Sequence, residues 1–446
     1  MKKYEGFGLA CGNFKSVDVA EKIFGGENTI QKLMDVEAAL ARAQAAIGVI
    51  PKEACEEICR KCQVQLLDEE EFRRQYQITN HPLVPLVRSY AAICEGNAGE
   101  YIHFGTTTQD ISDTATMLQL KEACGVIVEK AKELREVLAK KAKQYQKLIM
   151  MGRTNDQQAM PITLGFKMAS WVDELTRGIE RIEESQDRIF VGQFAGAVGT
   201  LASLEENGIE IQRRLMEELG LGVPKIAWYS SRDRLAEFVS NLCILTCSLG
   251  RFANEVYIGQ KSEVNELAEG FRPGRVGSST MPHKRNPFVP GQIVAYARLA
   301  RSVMTDVLTA MEGTNERDCR SLGLEHEVLA KSCSLADAAL DQSLLLMTEL
   351  EVHEENIKRN LDLLNGLIYA EALMMRLSPR FGRLEAHEMI YEIAQRAISE
   401  KKSFRELLLA DPQVGDEISE EELQGIMNPA HYIGLAEYFV DQVVGQ

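Results

Sequence analysis

The sequence predicts an all-α protein built on a long central helix bundle. Three observations carry that expectation. Pro is scarce, with 12 in 446 residues, and aromatic residues make up 7%, a balance that favours helix over a many-stranded sheet. Apolar residues recur at threes and fours along most of the chain. Several of these runs reach about 30 residues, well past the usual globular helix.

The elements follow in order. Ile30 to Gly48 places Leu33, Val36, Leu40, Ala43 and Ile47 on one helical face. Pro51 opens the next helix, with acids near its start. Asn80-His81-Pro82-Leu83-Val84-Pro85 breaks the pattern. Gly105 to Asp110 is a polar loop, and a very long helix is expected from Asp113, as its cap, to about Gln146. Its stripe is Met117, Leu120, Ala123, Ile127, Ala131, Leu134 and Leu138, and its length is roughly 50 Å. Two more long helices are expected over Ile162–Phe190 and Leu235–Glu269. No Pro falls between Gly291 and Ser378, and Asp411-Pro412 and Asn428-Pro429 punctuate the last segment.

Composition narrows the function. The net charge is -16, with 66 acidic against 50 basic residues, and an acidic surface repels phosphate backbones; no nucleic-acid partner is expected. No apolar run suggests a membrane span, and Met1 to Phe14 lacks the apolar core of a signal peptide, so a cytoplasmic protein with 10 reduced Cys is expected. Cys55, Cys59 and Cys62 share the C-x3-C-x2-C spacing of radical S-adenosylmethionine enzymes. They lie, however, in a segment that reads as a helix with the three thiols on one face. Gly6, Gly8 and Gly12 miss the dinucleotide-binding spacing and follow no strand. No cofactor and no metal are expected.

The segment Pro273 to Pro287 is unlike a linker. It gathers three hydroxyls, three cationic side chains and one amide among Gly and Pro. Small residues let backbone N–H groups approach a ligand, and Lys284 and Arg285 attract carboxylate or phosphate. Gly277-Ser-Ser-Thr-Met-Pro-His-Lys-Arg-Asn-Pro287 resembles the signature of the fumarase/aspartase superfamily. His103-Phe-Gly-Thr-Thr-Thr-Gln-Asp-Ile-Ser-Asp-Thr114 resembles its first motif, and Gly152-Arg-Thr-Asn-Asp-Gln-Gln-Ala-Met-Pro161 its second. The flanks Asp35–Pro51, Gly382–Glu388 and Asn428–Asp441 resemble bacterial 3-carboxy-cis,cis-muconate cycloisomerases.

The resemblance implies an all-α homotetramer with a bundle of helices from all four subunits and active sites shared between three of them. It implies three domains: 1–105, 106–355 with the long bundle, and 356–446. The family reaction takes a proton from the carbon next to a carboxylate and expels a group from the neighbouring carbon, usually forming fumarate. Such a site needs a base and preorganised positive potential for the aci-carboxylate. By resemblance Ser278 is the base. Ser279, Lys284, Asn286, Thr107 and Thr108 bind carboxylate, Gln109 and Gln157 bind a second polar group, and His103 orients the first loop. His81 sits where adenylosuccinate lyases carry a site histidine, and Arg317 is a further candidate for an anionic group.

One departure stands out. The second motif usually reads Gly-Arg-Thr-His, with the His as proton donor or its helper; this chain has Asn155, then Asp156. Asn transfers no proton at neutral pH. Two readings follow: a C–N lyase acting on an N-substituted aspartate, whose amine leaves with its own charge, or an acid role taken over by Asp156 or His81. The alternatives are 3-carboxy-cis,cis-muconate cycloisomerase, with a polycarboxylate substrate, and a non-catalytic structural protein on the same scaffold.

Overall fold

A computed structural model describes residues 17–272, 274 and 277–445. The Gly6/Gly8/Gly12 and leader readings lie outside the described residues, as do Pro273, Arg275 and Val276 of the signature loop. The chain forms two compact units. The first takes Met1–Lys132, Arg177–Gly250 and Ile293–Asp341; the second takes Glu133–Thr176, Arg251–Gln292 and Gln342–Gln446.

Helices dominate, as expected. After a π-helical turn at Val17–Ile23 come the 21-residue α1 (Gly26–Ala46) and three shorter helices, α2 (Lys52–Arg60), α3 (Glu69–Thr79) and α4 (Leu83–Ile93). The 37-residue α5 (Thr108–Gln144) follows, then the hairpin β1 (Ile149–Thr154) and β2 (Gln157–Thr163). After it come α6 (Leu164–Ile189), α7 (Glu205–Leu219), α8 (Asp233–Gly259), β3 (Leu267–Ala268), α9 (Phe288–Ala310), α10 (Cys319–Thr348) and β4 (Glu351–Val352). The rest is a set of shorter helices: α11 (Glu354–Leu361), α12 (Ala370–Phe381), α13 (Arg383–Glu400), α14 (Phe404–Ala410), α15 (Pro412–Glu417), α16 (Glu420–Ile426) and α17 (Ala436–Val444).

The predicted stripe of α5 is its core face: Met117, Leu120, Ala123, Ile127, Ala131, Leu134 and Leu138 are all fully buried. The helix begins five residues before the expected cap. Asp113 is therefore not a cap but an interior residue, buried and ion-paired to Arg232. α8 stops at Gly259 rather than near Glu269. There the chain turns back through left-handed Asn265, and the Glu266 N–H donates to the Gly259 carbonyl at 2.9 Å. Leu267 packs so close that a Cβ on Gly259 would meet its Cβ at 3.1 Å. α2 ends at Arg60, so Cys62 lies beyond the helix that was expected to carry all three thiols. The nine described cysteines are all free. α8 is long and apolar enough to cross a membrane, contrary to the reading that no run qualifies. Its Leu235, Phe238, Val239, Leu242, Leu245, Leu249 and Phe252 are instead buried within the protein.

In the first unit a buried guanidinium organises the packing. Arg232 reaches Asp113 through Nη1 at 2.9 Å and Nη2 at 3.0 Å, and reaches Glu325 of α10 through Nε at 2.7 Å. All three side chains are nearly inaccessible, and the Trp228 ring lies 4.9 Å from the guanidinium carbon. Removing one partner of such a group leaves charge in low dielectric without compensation. Arg232→Met should destabilise by about 3–5 kcal/mol in urea denaturation, because two carboxylates lose their common partner. Converting Asp113 and Glu325 to their amides in the same chain should recover part of that loss.

Candidate active site

The signature loop leads from β3 into α9 and is closed on itself. The Asn286 amide donates to the Gly277 carbonyl at 2.7 Å. Gly277 is required there, since a Cβ would come within 2.5 Å of the Lys284 carbonyl oxygen. Inside this ring Ser278 Oγ accepts the Met281 N–H at 3.0 Å and the Thr280 N–H at 3.4 Å. Two backbone dipoles are thus aimed at the hydroxyl oxygen, the arrangement that favours negative charge on it. Ser278 is half-buried, whereas Ser279 and Lys284 are exposed. Lys284 has no ion-pair partner among the described residues. Its neighbour Arg285 turns away, over the Phe271 ring at 4.2 Å and 3.5 Å from Glu351.

Two residues that the motif did not reveal anchor this loop. Gln260 donates to the Arg285 carbonyl at 3.1 Å and accepts the Glu269 N–H at 3.0 Å. Glu269 accepts the Val289 N–H at 2.7 Å, satisfying a free donor at the start of α9. Both precede the signature, and only the folded chain shows where their side chains go.

The second motif is the β1–β2 hairpin. Thr154 pairs with Gln157, which leaves Asn155 and Asp156 as a two-residue turn. Their φ angles are 51° and 60°. Tight hairpin turns of this kind need left-handed backbone at both central residues, and Asn and Asp tolerate it best after Gly. A structural reason for Asn at 155 is therefore present alongside any chemical one. Asn155, Asp156 and Gln157 are exposed. Arg153 is not available for substrate: its fork grips Glu266 at 2.8 and 2.7 Å, and Asn360 donates to the same carboxylate at 2.8 Å.

The first motif runs from a loop into the second turn of α5. Thr107 Oγ1 accepts Arg317 Nη2 at 3.1 Å; the same nitrogen donates to the Ala197 carbonyl at 2.9 Å, and the guanidinium lies over Tyr229 at 5.0 Å. Arg320, in contrast, is held by Asp318 at 2.6 Å. Thr108 is the first residue of α5 and half-buried. Gln109, expected to meet substrate, is buried, its amide nitrogen donating to Asp113 at 3.0 Å and to the Tyr229 carbonyl at 3.1 Å. His103 faces Glu37, with Nδ1 2.7 Å from the carboxylate and the backbone N–H 3.0 Å from it, which fits a role in orienting the loop. His81 Nδ1 accepts the Leu83 N–H at 3.1 Å, so its proton sits on Nε2. Its pKa lies below the ordinary histidine value because the ring is desolvated and His326 is near, so the imidazole is neutral at pH 7.

The candidates therefore fall into two groups. His81, Thr107, Thr108, Gln109 and Arg317 belong to the first unit; Asn155, Gln157, Ser278, Ser279, Lys284 and Asn286 belong to the second.

Residues 12–299 match the family pattern described as lyase, and residues 366–443 match the adenylosuccinate lyase C-terminus. The chain belongs to the fumarase/aspartase superfamily of lyases. It is 41% identical to an adenylosuccinate lyase of Methanocaldococcus jannaschii, covering 95% of this chain and 92% of that one. It is 36% identical to an N-acetyl-S-(2-succino)cysteine lyase of Dickeya dadantii, over 98% and 96% of the two chains. The solved 3-carboxy-cis,cis-muconate lactonizing enzyme of Pseudomonas putida superposes with a TM-score of 0.89 at 35% identity, over 96% of each chain. Relatives over nearly the whole of this lyase thus carry three different reaction names.

The hairpin reading is testable without any substrate. Asn155→Gly should leave stability within a few tenths of a kcal/mol, because glycine accepts the left-handed turn. Asn155→Val should cost about 1–3 kcal/mol by urea denaturation, since a β-branched residue is strained at that φ. Equal stability of the two variants would contradict the turn assignment.

Proposed function

We propose that this lyase cleaves a 2-substituted succinate by β-elimination without a cofactor and releases fumarate. The observation that carries the reading is the Ser278 oxygen, which receives two backbone N–H groups in a closed loop that also carries Lys284, a cation with no ion-pair partner among the described residues. A serine hydroxyl is a poor base in water; N–H donors and a nearby cation lower the cost of its alkoxide. Lys284, Asn286, Ser279, Thr107 and Thr108 bind the substrate carboxylates, and Arg317 adds positive potential where the aci-carboxylate forms. Gln157 serves the remaining polar group, whereas Gln109, its amide hydrogens spent on Asp113 and the Tyr229 carbonyl, holds the first motif in place. The three motif loops come from three subunits of a cytoplasmic homotetramer, each with the domains 1–105, 106–355 and 356–446.

Asn155 offers no proton, so the expelled group leaves without a protein acid at that place. C–N cleavage of an N-substituted aspartate fits when the nitrogen already carries its positive charge, as in an alkylammonium. The reading is adenylosuccinate-lyase-like in bond type. A second reading rests on the same residue: a thiol has a pKa near 8.5, so a thiolate departs unaided, and an S-(2-succino) thiol is an equally suitable substrate. Lactone formation, as in the muconate-acting relatives, is the third; the shared fold and flanks favour it, and the absence of a proton donor at 155 counts against it.

Two experiments test this. Fumarate release followed by ultraviolet absorbance over adenylosuccinate, N-succinyl amino acids, S-(2-succino)cysteine and its N-acetyl form should single out one class. Turnover of 3-carboxy-cis,cis-muconate with no fumarate from any succinyl compound would replace the elimination reading. On the best substrate, Ser278→Ala should lower kcat by at least about a hundredfold, the scale of a lost general base, with KM changed much less. Light scattering should give about four times 49.8 kDa; a fully active monomer would contradict the shared site.

A further inference from the structure

Asp110 lies in the first turn of α5, outside the set of residues proposed to touch substrate. Its carboxyl is completely buried. Oδ1 accepts the Ala195 N–H at 2.8 Å and lies 2.6 Å from Tyr229 Oη. Oδ2 accepts the N–H groups of Gly196 at 3.0 Å and Thr107 at 3.1 Å, and the Thr106 hydroxyl at 3.1 Å. Tyr229 Oη also lies 2.7 Å from the Gly196 carbonyl oxygen.

Counting protons decides what this cluster is. A phenol has one hydrogen, and neither a carboxylate oxygen nor a carbonyl oxygen has any to give. If Asp110 were ionised, Tyr229 would satisfy one of its two close oxygens. The other would face it lone pair to lone pair at hydrogen-bond distance, away from water. A second proton removes the conflict: Oδ1–H donates to Tyr229 Oη, and Tyr229 Oη–H donates to Gly196. Every other contact of Asp110 survives, because each has the carboxyl as acceptor.

The surrounding charges agree. Arg232 is already shared by Asp113 and Glu325, and Arg317 lies across the Tyr229 ring. An ionised Asp110 would be a third carboxylate among two guanidinium groups. Burial raises the Asp110 pKa above the ordinary aspartate value, outweighing the N–H and O–H donors that act in the opposite direction.

We propose that Asp110 is held as the neutral acid at neutral pH, and that its proton, given to Tyr229, fixes the ring on which Arg317 is set against Thr107. Asp110 is then a positioning residue. Its neutrality also leaves the Arg317 charge uncancelled for an anionic ligand. Only this last step rests on the proposed function, with Thr107 and Arg317 as carboxylate binders. The sign of the pH effect follows. Substrate affinity is high while Asp110 keeps its proton and falls as pH rises through its folded-state pKa. Stability from the neutral group is complete below the ordinary aspartate range and declines between that range and the raised value.

Infrared spectroscopy of the intact protein near neutral pH reads the proton directly, as the C=O band of a protonated carboxyl. The band should vanish in Asp110→Asn and shift to higher frequency in Tyr229→Phe, which removes the acceptor. Tyr229→Phe keeps the ring under Arg317 and tests the same point if the Asp110 variant fails to fold. Its KM should rise roughly tenfold, the scale of one neutral hydrogen bond, with a smaller change in kcat. A spectrum with no protonated carboxyl, or a band unmoved by Tyr229→Phe, overturns the proposal. A band that behaves as expected in a protein that releases no fumarate leaves the Asp110 assignment standing and removes the functional reading instead.

Discussion

The guanidinium of Arg232 is the constraint on which the packing around the first motif depends. It enters from the start of α8, where Asp113 of α5 and Glu325 of α10 both need it. Neither carboxylate would remain charged in so dry a place alone, and the pairing fixes two helices against the segment that carries Trp228 and Tyr229. Gln109 donates to the same Asp113, and Tyr229 reaches the next turn of α5 through Asp110. Arg317 lies on Tyr229 and against Thr107. The first motif is thus tied through Asp113, Gln109 and Asp110 to this charge cluster and to Tyr229, and Thr107 is tied to Arg317.

The second unit solves a different problem. Its signature loop keeps two backbone dipoles pointed at the Ser278 hydroxyl, the group proposed as the base. Gly277 permits the close fold, Asn286 closes the ring, and Gln260 and Glu269 fix its two roots. The hairpin turn at Asn155 and Asp156 limits what the second motif can contribute. Both residues are left-handed, and an amide there holds the turn well but gives no proton. The chemistry proposed for this lyase follows from those two facts together: a stabilised base on one loop, and a leaving group that needs no acid from the other.

Much of this was legible in the sequence. The stripe from Met117 to Leu138 is the buried face of α5, because a residue's burial in a long helix follows directly from its spacing. The Gly/Pro-rich composition of Pro273 to Pro287 marked the loop that carries Ser278. What stayed hidden depended on partners far away in the chain. Asp113 looks like a cap until Arg232, 119 residues later, is seen to hold it. Glu269 looks like the end of a helix until the turn at Asn265 and the Gln260 anchor are known. The β1–β2 hairpin was missed because Asn-Asp is a weaker turn signal than Asn-Gly, and its strands carry little alternation. Gln109 lies inside a motif, yet its burial depends on Tyr229, which the motif does not contain.

The central claim is that the leaving group departs without a proton from the protein. The dependence of kcat on leaving-group basicity tests it most directly, in a series of 2-(arylthio)succinates or 2-(arylamino)succinates of graded pKa. Unassisted departure predicts a steep fall in kcat as the conjugate acid of the leaving group becomes weaker. A flat dependence across the series, with C–H cleavage shown by a deuterium isotope effect not to be limiting, would mean that a protein acid delivers the proton and would contradict the account.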